Sequence, residues 1–186
     1  MTGETLGRLI ARGIAETGIE GSFSSVSCST GGDYPSLGIS QWEGSRAEAL
    51  LLSIPGGKAF TQMSYSMLSA EGRLGGLSEL LVSPAGQAAQ LRTLRADSVA
   101  YGEALRRIPG LTALPCLVYA GMWCPTSLAV VTAFLRNRAG RYDLNDLAAV
   151  HQLFFDDYAR AADCEEYLTG YQNRADRTYA WIRAHV

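Results

Sequence analysis

The most constraining feature of this chain is an amphipathic helix pattern that stops abruptly before a glutamate and a glycine- and serine-rich segment. An apolar stripe at the spacing of one helical face runs through Leu6, Leu9, Ile10 and Ile14. Gly18 follows as a signal for the end of the helix. The sequence therefore predicts that Glu20 lies in the turn just beyond a helix with one buried face.

The segment after Glu20 has the pattern of a short β-hairpin. Apolar and polar residues mix in 23–26 and again, with alternation, in 37–42. A polar turn between them carries Gly31, Gly32 and Asp33. Alternation along the second strand predicts that Ser40 and Trp42 share one face and that Gln41 lies on the other.

The remainder of the chain has the pattern of helices separated by short loops. Ser83 before Pro84 favours a helix start, because the serine hydroxyl can accept from a free N–H and proline has no N–H to leave unpaired. A long helix is predicted from Pro84 to about Arg107, before a Pro-Gly pair. Further helices are predicted at 46–54, 58–68, 111–121, 126–137, 144–158 and 163–184. The expected fold is α+β and predominantly helical, in one domain over residues 1–186.

Composition excludes several classes of function. The chain has 186 residues, of which 47% are hydrophobic and 18% charged, and a formal net charge of −2. A chain of this length can bury about 70% of the surface that its unfolded form exposes. It lacks the basic stripe of nucleic-acid-binding proteins, so no nucleic-acid partner is expected. It has neither an apolar run of the roughly 20 residues that cross a bilayer nor the pattern of a signal peptide, so we expect synthesis in the cytoplasm and no membrane insertion.

The cysteines and histidines are too few and too dispersed to predict a metal site. Cysteine occurs at four positions, Cys28, Cys116, Cys124 and Cys164, without Cys-x-x-Cys spacing. Only His151 and His185 could join them as ligands or in Cys–His catalysis. We expect no metal and no cofactor. Reduced cysteines that pack in the interior are favoured, and two disulfides, with three possible pairings, remain open for an oxidising compartment.

Three consecutive segments resemble the lysozyme-like superfamily of bacterial and phage peptidoglycan hydrolases: EGSFSSV (Glu20–Val26), GISQW (Gly38–Trp42) and EGSRAEALLLSI (Glu43–Ile54). In that family a Glu-Gly-x-aromatic-x-Ser-Val segment, an Asp- and Gly-bearing turn and a Gly-x-x-Gln-Trp strand precede an Arg-Ala-x-x-Leu-Leu helix. Later helices of the family are similar to Ser83–Gln90, Leu117–Trp123, Asp143–Gln152 and Tyr171–Ile182. The chain departs from the family in two places: the family often has an aspartate where Gly121 stands, and the turn between Val26 and Gly38 is one residue longer here.

The resemblance implies a lysozyme-like two-lobe fold, with a hairpin lobe at about 20–45 and a helical lobe beside a cleft. It also implies an N-acetylmuramidase that cleaves the β-1,4 bond between N-acetylmuramic acid and N-acetylglucosamine in peptidoglycan glycan strands. Such cleavage needs a carboxylic acid that protonates the departing oxygen, and Glu20 matches that acid. A helix end and Phe23 could desolvate Glu20 and raise its pKa.

Further site residues follow from the same resemblance. Asp33 is the candidate second catalytic carboxylate, which orients water or supports positive charge on the sugar, or else is simply a turn residue. Glu16 is the fallback acid. The candidate substrate-binding residues are Ser40, Gln41, Trp42, Tyr34, Tyr119 and Trp123, with core packing as the alternative for the aromatic ones.

Three alternatives remain open at this level. Water or the sugar's own 6-hydroxyl could capture the sugar cation, which gives hydrolysis or lytic transglycosylation. A related enzyme could cut chitosan or chitin. The chain could also be a non-catalytic glycan-binding domain of a phage or secretion assembly. The expected setting of an active enzyme is the cell wall, reached after release, as for a phage endolysin or a secreted component.

Overall fold

The computed structural model describes residues 2–161 and 165–186. Within them the protein is predominantly helical with one two-stranded sheet, which confirms the predicted fold class at this level. The helices are α1 (Gly3–Thr17), α2 (Gly44–Leu52), α3 (Tyr65–Ala70), α4 (Leu74–Val82), α5 (Pro84–Leu105), α6 (Leu114–Trp123), α7 (Leu128–Arg138), α8 (Leu147–Gln152), α9 (Ala159–Ala161) and α10 (Glu165–His185). The strands are β1 (Val26–Cys28) and β2 (Pro35–Leu37). Cys164 and the start of the helix predicted at 163–184 lie outside the described residues.

Helix α1 begins and ends where the sequence predicts. The Thr2 hydroxyl accepts a hydrogen bond from the Thr5 N–H at 3.3 Å and caps the first turn. Gly18 ends the helix in the left-handed conformation, with φ of 56°, and its N–H donates to Ile14 O at 3.1 Å. The stripe residues with no exposed surface are Leu6, Ile10 and Ile14. Glu20 thus follows a buried, capped helix end.

The hairpin is shorter than predicted and is shifted along the chain. β1 and β2 pair antiparallel with Val26 opposite Leu37 and Cys28 opposite Pro35. The predicted strand at 37–42 is wrong, because Gly38–Ser40 forms a 3-10 turn. Leu37 and Trp42 close this turn with two backbone hydrogen bonds of 2.9 Å. Apolar alternation gives no sign of such a turn, since its residues are buried in succession rather than alternately.

The predicted helix at 58–68 is also wrong, because a kinked connection interrupts it. A 3-10 turn occupies Gly57–Phe60, and Gln62 has a positive φ of 58°, outside the helical region. Helix α3 starts only after Ser64, whose hydroxyl accepts from Met67 N at 3.1 Å. Helix α5, in contrast, begins as predicted, since the Ser83 hydroxyl accepts from the Gly86 N–H at 3.0 Å.

The segment predicted as one helix at 144–158 contains a π-helix. Helix α8 runs directly into the π-helix Leu153–Tyr158, which continues as α9. Phe154 and Tyr158 pack against Trp123, with ring centroids 4.7 and 5.0 Å from the Trp123 centroid. A π-turn widens the helix locally, and apolar periodicity does not reveal it.

The chain divides into two compact units. One comprises Met1–Ile19 with Arg95–Val186, and the other, called here the hairpin unit, comprises Glu20–Leu94. In the first unit α6 is buried along most of its length, and α1 and α10 pack against it. A helix that is apolar on all sides is expected at the centre of a core. Among the residues that the structure describes, no helix has the length and apolar character to cross a bilayer.

Candidate functional site

The segment that carries Glu20 lies against the 3-10 turn that ends at Gln41. Glu20 is half-buried. A Cβ atom on the next residue, Gly21, would lie 2.7 Å from Gly38 O and 2.9 Å from Gln41 Nε2. Both separations are shorter than a Cβ contact can be, so only a glycine at position 21 lets this segment lie so close to the Gln41 turn. The Glu-Gly pair and the Gly-x-x-Gln pattern, separate in sequence, are neighbours in space.

Gln41 presents an amide that is held in one orientation. Its backbone is left-handed, with φ of 47°. The Ser27 hydroxyl donates to Gln41 Oε1 at 2.6 Å, and Gln41 Nε2 donates to Gly38 O at 2.9 Å. An amide nitrogen has two hydrogens, and the second has no acceptor within the described part of the chain. Gln41 can therefore donate one hydrogen bond to a ligand without rearrangement.

Gln90 holds the turn Gly38–Ser40 through a hydrogen bond to its backbone. The sequence prediction assigned no role to Gln90. It has no exposed surface. Its Oε1 accepts from Ile39 N at 3.1 Å, and its Nε2 donates to Phe23 O at 3.2 Å and Leu81 O at 2.9 Å. Three backbone groups from three segments of the hairpin unit thus meet one side chain. A glutamine within a polar helical sequence carries no local signal of such a role.

Asp33 is a helix-capping residue of the hairpin turn. Its Oδ1 accepts from Ser66 N at 2.9 Å, and its Oδ2 accepts from the Ser66 hydroxyl. Ser66 lies in the first turn of α3, where free N–H groups favour an anion. The hydrogen bonds from the Ser66 hydroxyl and then from its N–H lower the pKa of Asp33. The carboxylate is exposed and already engaged, which favours the structural interpretation of Asp33 over the catalytic one.

Glu16, the fallback acid, has an environment that opposes proton donation. Its side chain is exposed and forms an ion pair with Arg12 at 2.7 Å. Its second oxygen accepts from Trp181 Nε1 at 2.9 Å. The hydrogen bond from Arg12, followed by that from Trp181, lowers the pKa of Glu16. A general acid near neutral pH needs a raised pKa, so these contacts disfavour Glu16 in that role.

Two residues predicted to bind substrate on the hairpin are core residues. Trp42 has no exposed surface, and Ser40 is 3% exposed. The turn that closes between Leu37 and Trp42 directs both side chains inward. The prediction of substrate contact is therefore wrong for Trp42 and Ser40, because a polymer at the surface cannot reach them. Gln41, the residue between them, is half-buried and has the accessible polar group.

Tyr119 and Trp123 are likewise in the core of the first unit. Neither has exposed surface. The Tyr119 hydroxyl donates to Ala175 O at 3.1 Å, and burial raises the pKa of this tyrosine. The Arg174 guanidinium lies 4.3 Å from the centroid of the Trp123 ring. The prediction that these rings bind substrate is wrong, because the part of α6 that carries them is buried.

Tyr34 remains accessible and lies over the glycine turn. It is half-buried. A Cβ on Gly32 would be 2.8 Å from Tyr34 Cε1, and a Cβ on Gly31 would be 2.7 Å from the Tyr34 hydroxyl. The two glycines therefore let the ring fold back onto the turn. The ring is held at the surface, where it can contact a ligand.

The described cysteines are free thiols. Cys116 and Cys124 are buried and Cys28 is exposed. Burial, followed by the charge of Asp146, raises the pKa of Cys116 to about 11, and burial also raises the pKa of Cys124. Such thiols are poor nucleophiles. In the described part of the chain no three His, Cys, Asp or Glu side chains converge as metal ligands.

The candidate site in the hairpin unit thus consists of the half-buried Glu20, whose neighbour Gly21 lies against the Gln41 turn, and of the oriented amide of Gln41. Its chemical capacity is proton donation to, and hydrogen bonding of, a polar ligand. Ser27 holds this amide through a hydrogen bond, Gln90 holds the turn that carries Gln41, and neither role was predicted from the sequence. Comparison with protein-family models, curated proteins and solved structures finds no match to this chain.

Proposed function

We propose that this protein is a peptidoglycan-cleaving glycoside hydrolase of the lysozyme-like type, with Glu20 as its general acid. The observation that carries the proposal is the contact of the Glu20-Gly21 segment with the Gln41 turn. The Glu-Gly pair and the Gly-x-x-Gln segment are the most specific parts of the resemblance to the lysozyme-like family. A shared substrate site would explain why the chain carries both. The lysozyme-like two-lobe fold and action on glycan strands of the cell wall are parts of the same proposal.

In the proposed mechanism Glu20 does the acid chemistry. Its carboxyl proton goes to the glycosidic oxygen as the bond from that oxygen to the anomeric carbon of N-acetylmuramic acid breaks. The anomeric carbon then bonds to the oxygen of a water molecule or of the sugar's own 6-hydroxyl. In either case that oxygen loses its proton to the Glu20 carboxylate, which restores the acid. Gln41 Nε2 donates to a substrate oxygen and fixes the sugar. Asp33 has no part, because its oxygens are engaged with Ser66.

The test is the release of reducing ends from purified peptidoglycan by the wild type and by Glu20→Gln. Removing a general acid is expected to lower the rate by about a hundredfold or more. Glu16→Gln is the matched control, because Glu16 is also a glutamate near the end of α1 and is expected to keep near-wild-type activity. Circular dichroism of all three proteins checks the fold. Equal rates for the wild type and Glu20→Gln would contradict the assignment of Glu20.

The products distinguish the two fates of the sugar cation. Mass spectrometry of the released fragments detects 1,6-anhydro ends if the 6-hydroxyl captures the cation. Their absence, together with new reducing ends, would establish hydrolysis. Soluble chitosan oligomers, assayed in parallel, test for a chitosanase-like or chitinase-like hydrolase.

A second candidate function is glycan binding without turnover, as a domain of a phage or secretion assembly. The observation that favours it is the engagement of Asp33, which leaves Glu20 without the second predicted carboxylate. Co-sedimentation with peptidoglycan, without release of reducing ends or chitosan fragments, would support this function. In that case Gln41→Ala is expected to weaken co-sedimentation, whereas Gln87→Ala, at an exposed position of α5, is not.

A further inference from the structure

The hairpin unit contains a pocket that is not part of the proposed glycosidase site. It is a pocket of about 190 Å³ at the side of β2 and α2. We call it the aromatic pocket and define it by six of its lining residues, Tyr34, Glu48, Leu51, Phe60, Gln62 and Met63. Its other lining is largely apolar, with Pro35 and Ala47.

The wall that contains Tyr34 is held in place by the hairpin turn. The Tyr34 ring lies on Gly31 and Gly32, which have no side chains to displace it. Asp33, the residue before Tyr34, is bonded to Ser66 in the first turn of α3. Because α3 directly follows the loop that contains Gln62 and Met63, the Asp33–Ser66 link joins the two sides of the pocket. The pocket is thus formed before any ligand binds.

The opposite wall is held by Arg73. Its guanidinium lies 4.8 Å from the centroid of the Phe60 ring. It also donates to Met63 Sδ at 2.9 Å and to Ala59 O at 2.7 Å. Gln62, between these residues, has a positive φ of 58°, a conformation that costs a non-glycine residue of order 1 kcal/mol or more. Strain of this kind persists where surrounding contacts impose a local geometry.

Glu48 is the charged group of the aromatic pocket. Its side chain is half-buried, and its carboxylate has no hydrogen bond or ion pair with any described residue. A carboxylate without a partner beside apolar lining attracts a cation. Aromatic rings also attract cations, particularly ammonium groups. Because Arg73 already lies over the Phe60 ring, the ring of the lining that remains for a ligand cation is that of Tyr34. Both features of the lining therefore select a positively charged ligand.

The size and lining of the pocket define the ligand further. Pockets that enclose drug-sized ligands have volumes of about 300–1,000 Å³. A pocket of about 190 Å³ suits one side chain rather than several sugar rings. Apolar lining from Leu51 and Met63 matches an aliphatic arm whose charged end reaches Glu48, as lysine arms extend along apolar surfaces.

We propose that the aromatic pocket binds a primary ammonium group at the end of a short aliphatic arm, as in a lysine side chain, with Glu48 as the counter-charge. The site is independent of glycosidase activity, and its test needs no turnover. An amino sugar also carries a primary ammonium group, so the experiment includes one as a separate probe.

The experiment is a titration of the isotope-labelled protein followed by amide chemical shifts. The probes are Nα-acetyl-lysine methylamide, Nα-acetyl-norleucine methylamide, which lacks the ammonium group, and glucosamine. The lysine probe is expected to shift the amide signals of Thr61, Gln62 and Met63, and to bind about tenfold more tightly than the norleucine probe. Glu48→Gln is expected to abolish this difference. Glu79→Gln, at an exposed glutamate of α4 in the same unit, is the matched control and is expected to preserve it.

Each outcome decides the proposal. A lysine preference that Glu48→Gln removes and Glu79→Gln retains establishes the site. Equal binding of the lysine and norleucine probes would overturn it, because the pocket would then be merely apolar. Tighter binding of glucosamine than of the lysine probe would overturn the proposal that the ligand has an aliphatic arm. Absence of shifts at these amides with millimolar probe would also overturn the proposal.

Discussion

Asp33 illustrates how the surroundings of one residue decide its chemistry. In sequence it is an aspartate in a glycine turn, a position compatible with a catalytic carboxylate or with a turn residue. In the structure its two oxygens accept hydrogen bonds from Ser66 at the start of α3. Those bonds stabilise the ionised form and lower the pKa of the carboxyl group. The same geometry that weakens Asp33 as a base makes it a link within the hairpin unit.

This link predicts a contribution of Asp33 to stability that depends on pH. Because the folded pKa lies below the ordinary value of 3.8, the contribution is fully present above about pH 4 and is lost as the pH falls through the folded pKa. Asp33→Asn should therefore lower stability at pH 7 and flatten the loss of stability as the pH falls below about 4. Urea denaturation at several pH values measures both effects.

Variants on α3 provide the controls for this prediction. Ser66→Ala removes the hydroxyl donor and, like Asp33→Asn, should make the loss of stability at acid pH less steep. Ser69→Ala, at an exposed position of the same helix, should leave it unchanged. If Asp33→Asn loses stability at acid pH as steeply as the wild type, other groups cause that loss.

At the scale of elements, the turn that carries Gln41 depends on a helix far along the chain. Gln90 of α5 bonds to the backbone of three segments, including the residues that flank the candidate site. The turn itself has few residues and an unusual backbone, with positive φ at Gly38 and Gln41. A single buried amide therefore holds a local geometry that the turn residues alone would not maintain.

Gln90→Leu should destabilise the protein by about 2 to 4 kcal/mol, because it removes three hydrogen bonds and leaves buried backbone groups unpaired. The midpoint of urea denaturation measures this loss. Gln87→Leu is the matched control: Gln87 is exposed and has one bond, from its Nε2 to Val82 O at 2.7 Å. It should cost less than about 1 kcal/mol. Similar losses for both variants would contradict the role assigned to Gln90.

The contact of α1 with α6 depends on a position without a side chain. A Cβ on Gly121 would lie 2.6 Å from Ile10 Cγ1 and 3.1 Å from Ile10 Cγ2. Gly121→Ala should therefore destabilise the protein by about 1 to 3 kcal/mol through overpacking. The aspartate that the lysozyme-like family often has here would meet the same buried side chain.

A second glycine provides the control for this contact. A Cβ on Gly170, within α10, would meet no atom within 4 Å. Gly170→Ala should thus stabilise the protein, by about 0.5 to 1 kcal/mol, through better helix propensity. Thermal unfolding of the two variants measures the difference, and a neutral Gly121→Ala would indicate that Ile10 moves aside freely.

At the scale of the whole molecule, the first unit is discontinuous in sequence. Helix α1 belongs to it although Glu20–Leu94 separates α1 from the other helices of that unit. Three fully buried side chains of α1 contribute to its core, namely Leu6, Ile10 and Ile14. Local folding of the N-terminal region therefore cannot complete this unit, which depends on contacts distant in sequence.

Truncation to residues 20–186 should abolish the cooperative unfolding transition. Removing each of the three α1 side chains is expected to cost about 2 to 5 kcal/mol, and the sum is comparable with the whole stability of a domain, about 5 to 15 kcal/mol. Urea denaturation monitored by circular dichroism measures the loss. Adding a peptide of residues 2–19 should restore the transition, and Arg8→Ala, on the exposed side of α1, should leave it intact. A truncated chain that unfolds with the wild-type midpoint would contradict this account.

Local signals were sufficient to predict several features of the protein. The apolar stripe and Gly18 predict α1 and its end, Ser83-Pro84 predicts the start of α5, and overall patterning predicts a mostly helical chain with one hairpin. These features depend on residues a few positions apart, so the sequence displays them directly.

Tertiary contacts decided which predicted site residues are accessible. The turn closed by Leu37 and Trp42 places Trp42 and Ser40 inside the protein, and the packing around α6 encloses Tyr119 and Trp123. The local sequence does not show whether a tryptophan is exposed on a strand or buried in the core, because burial depends on elements that are distant along the chain. The sequence by itself therefore determined α1 and its end, the start of α5 and the mostly helical character of the chain, while the acid role of Glu20 stays a prediction. Only the tertiary structure decided the register of the hairpin, the support of Gln41 by Gln90, and the engagement of Asp33 with α3, since each requires contact between distant segments.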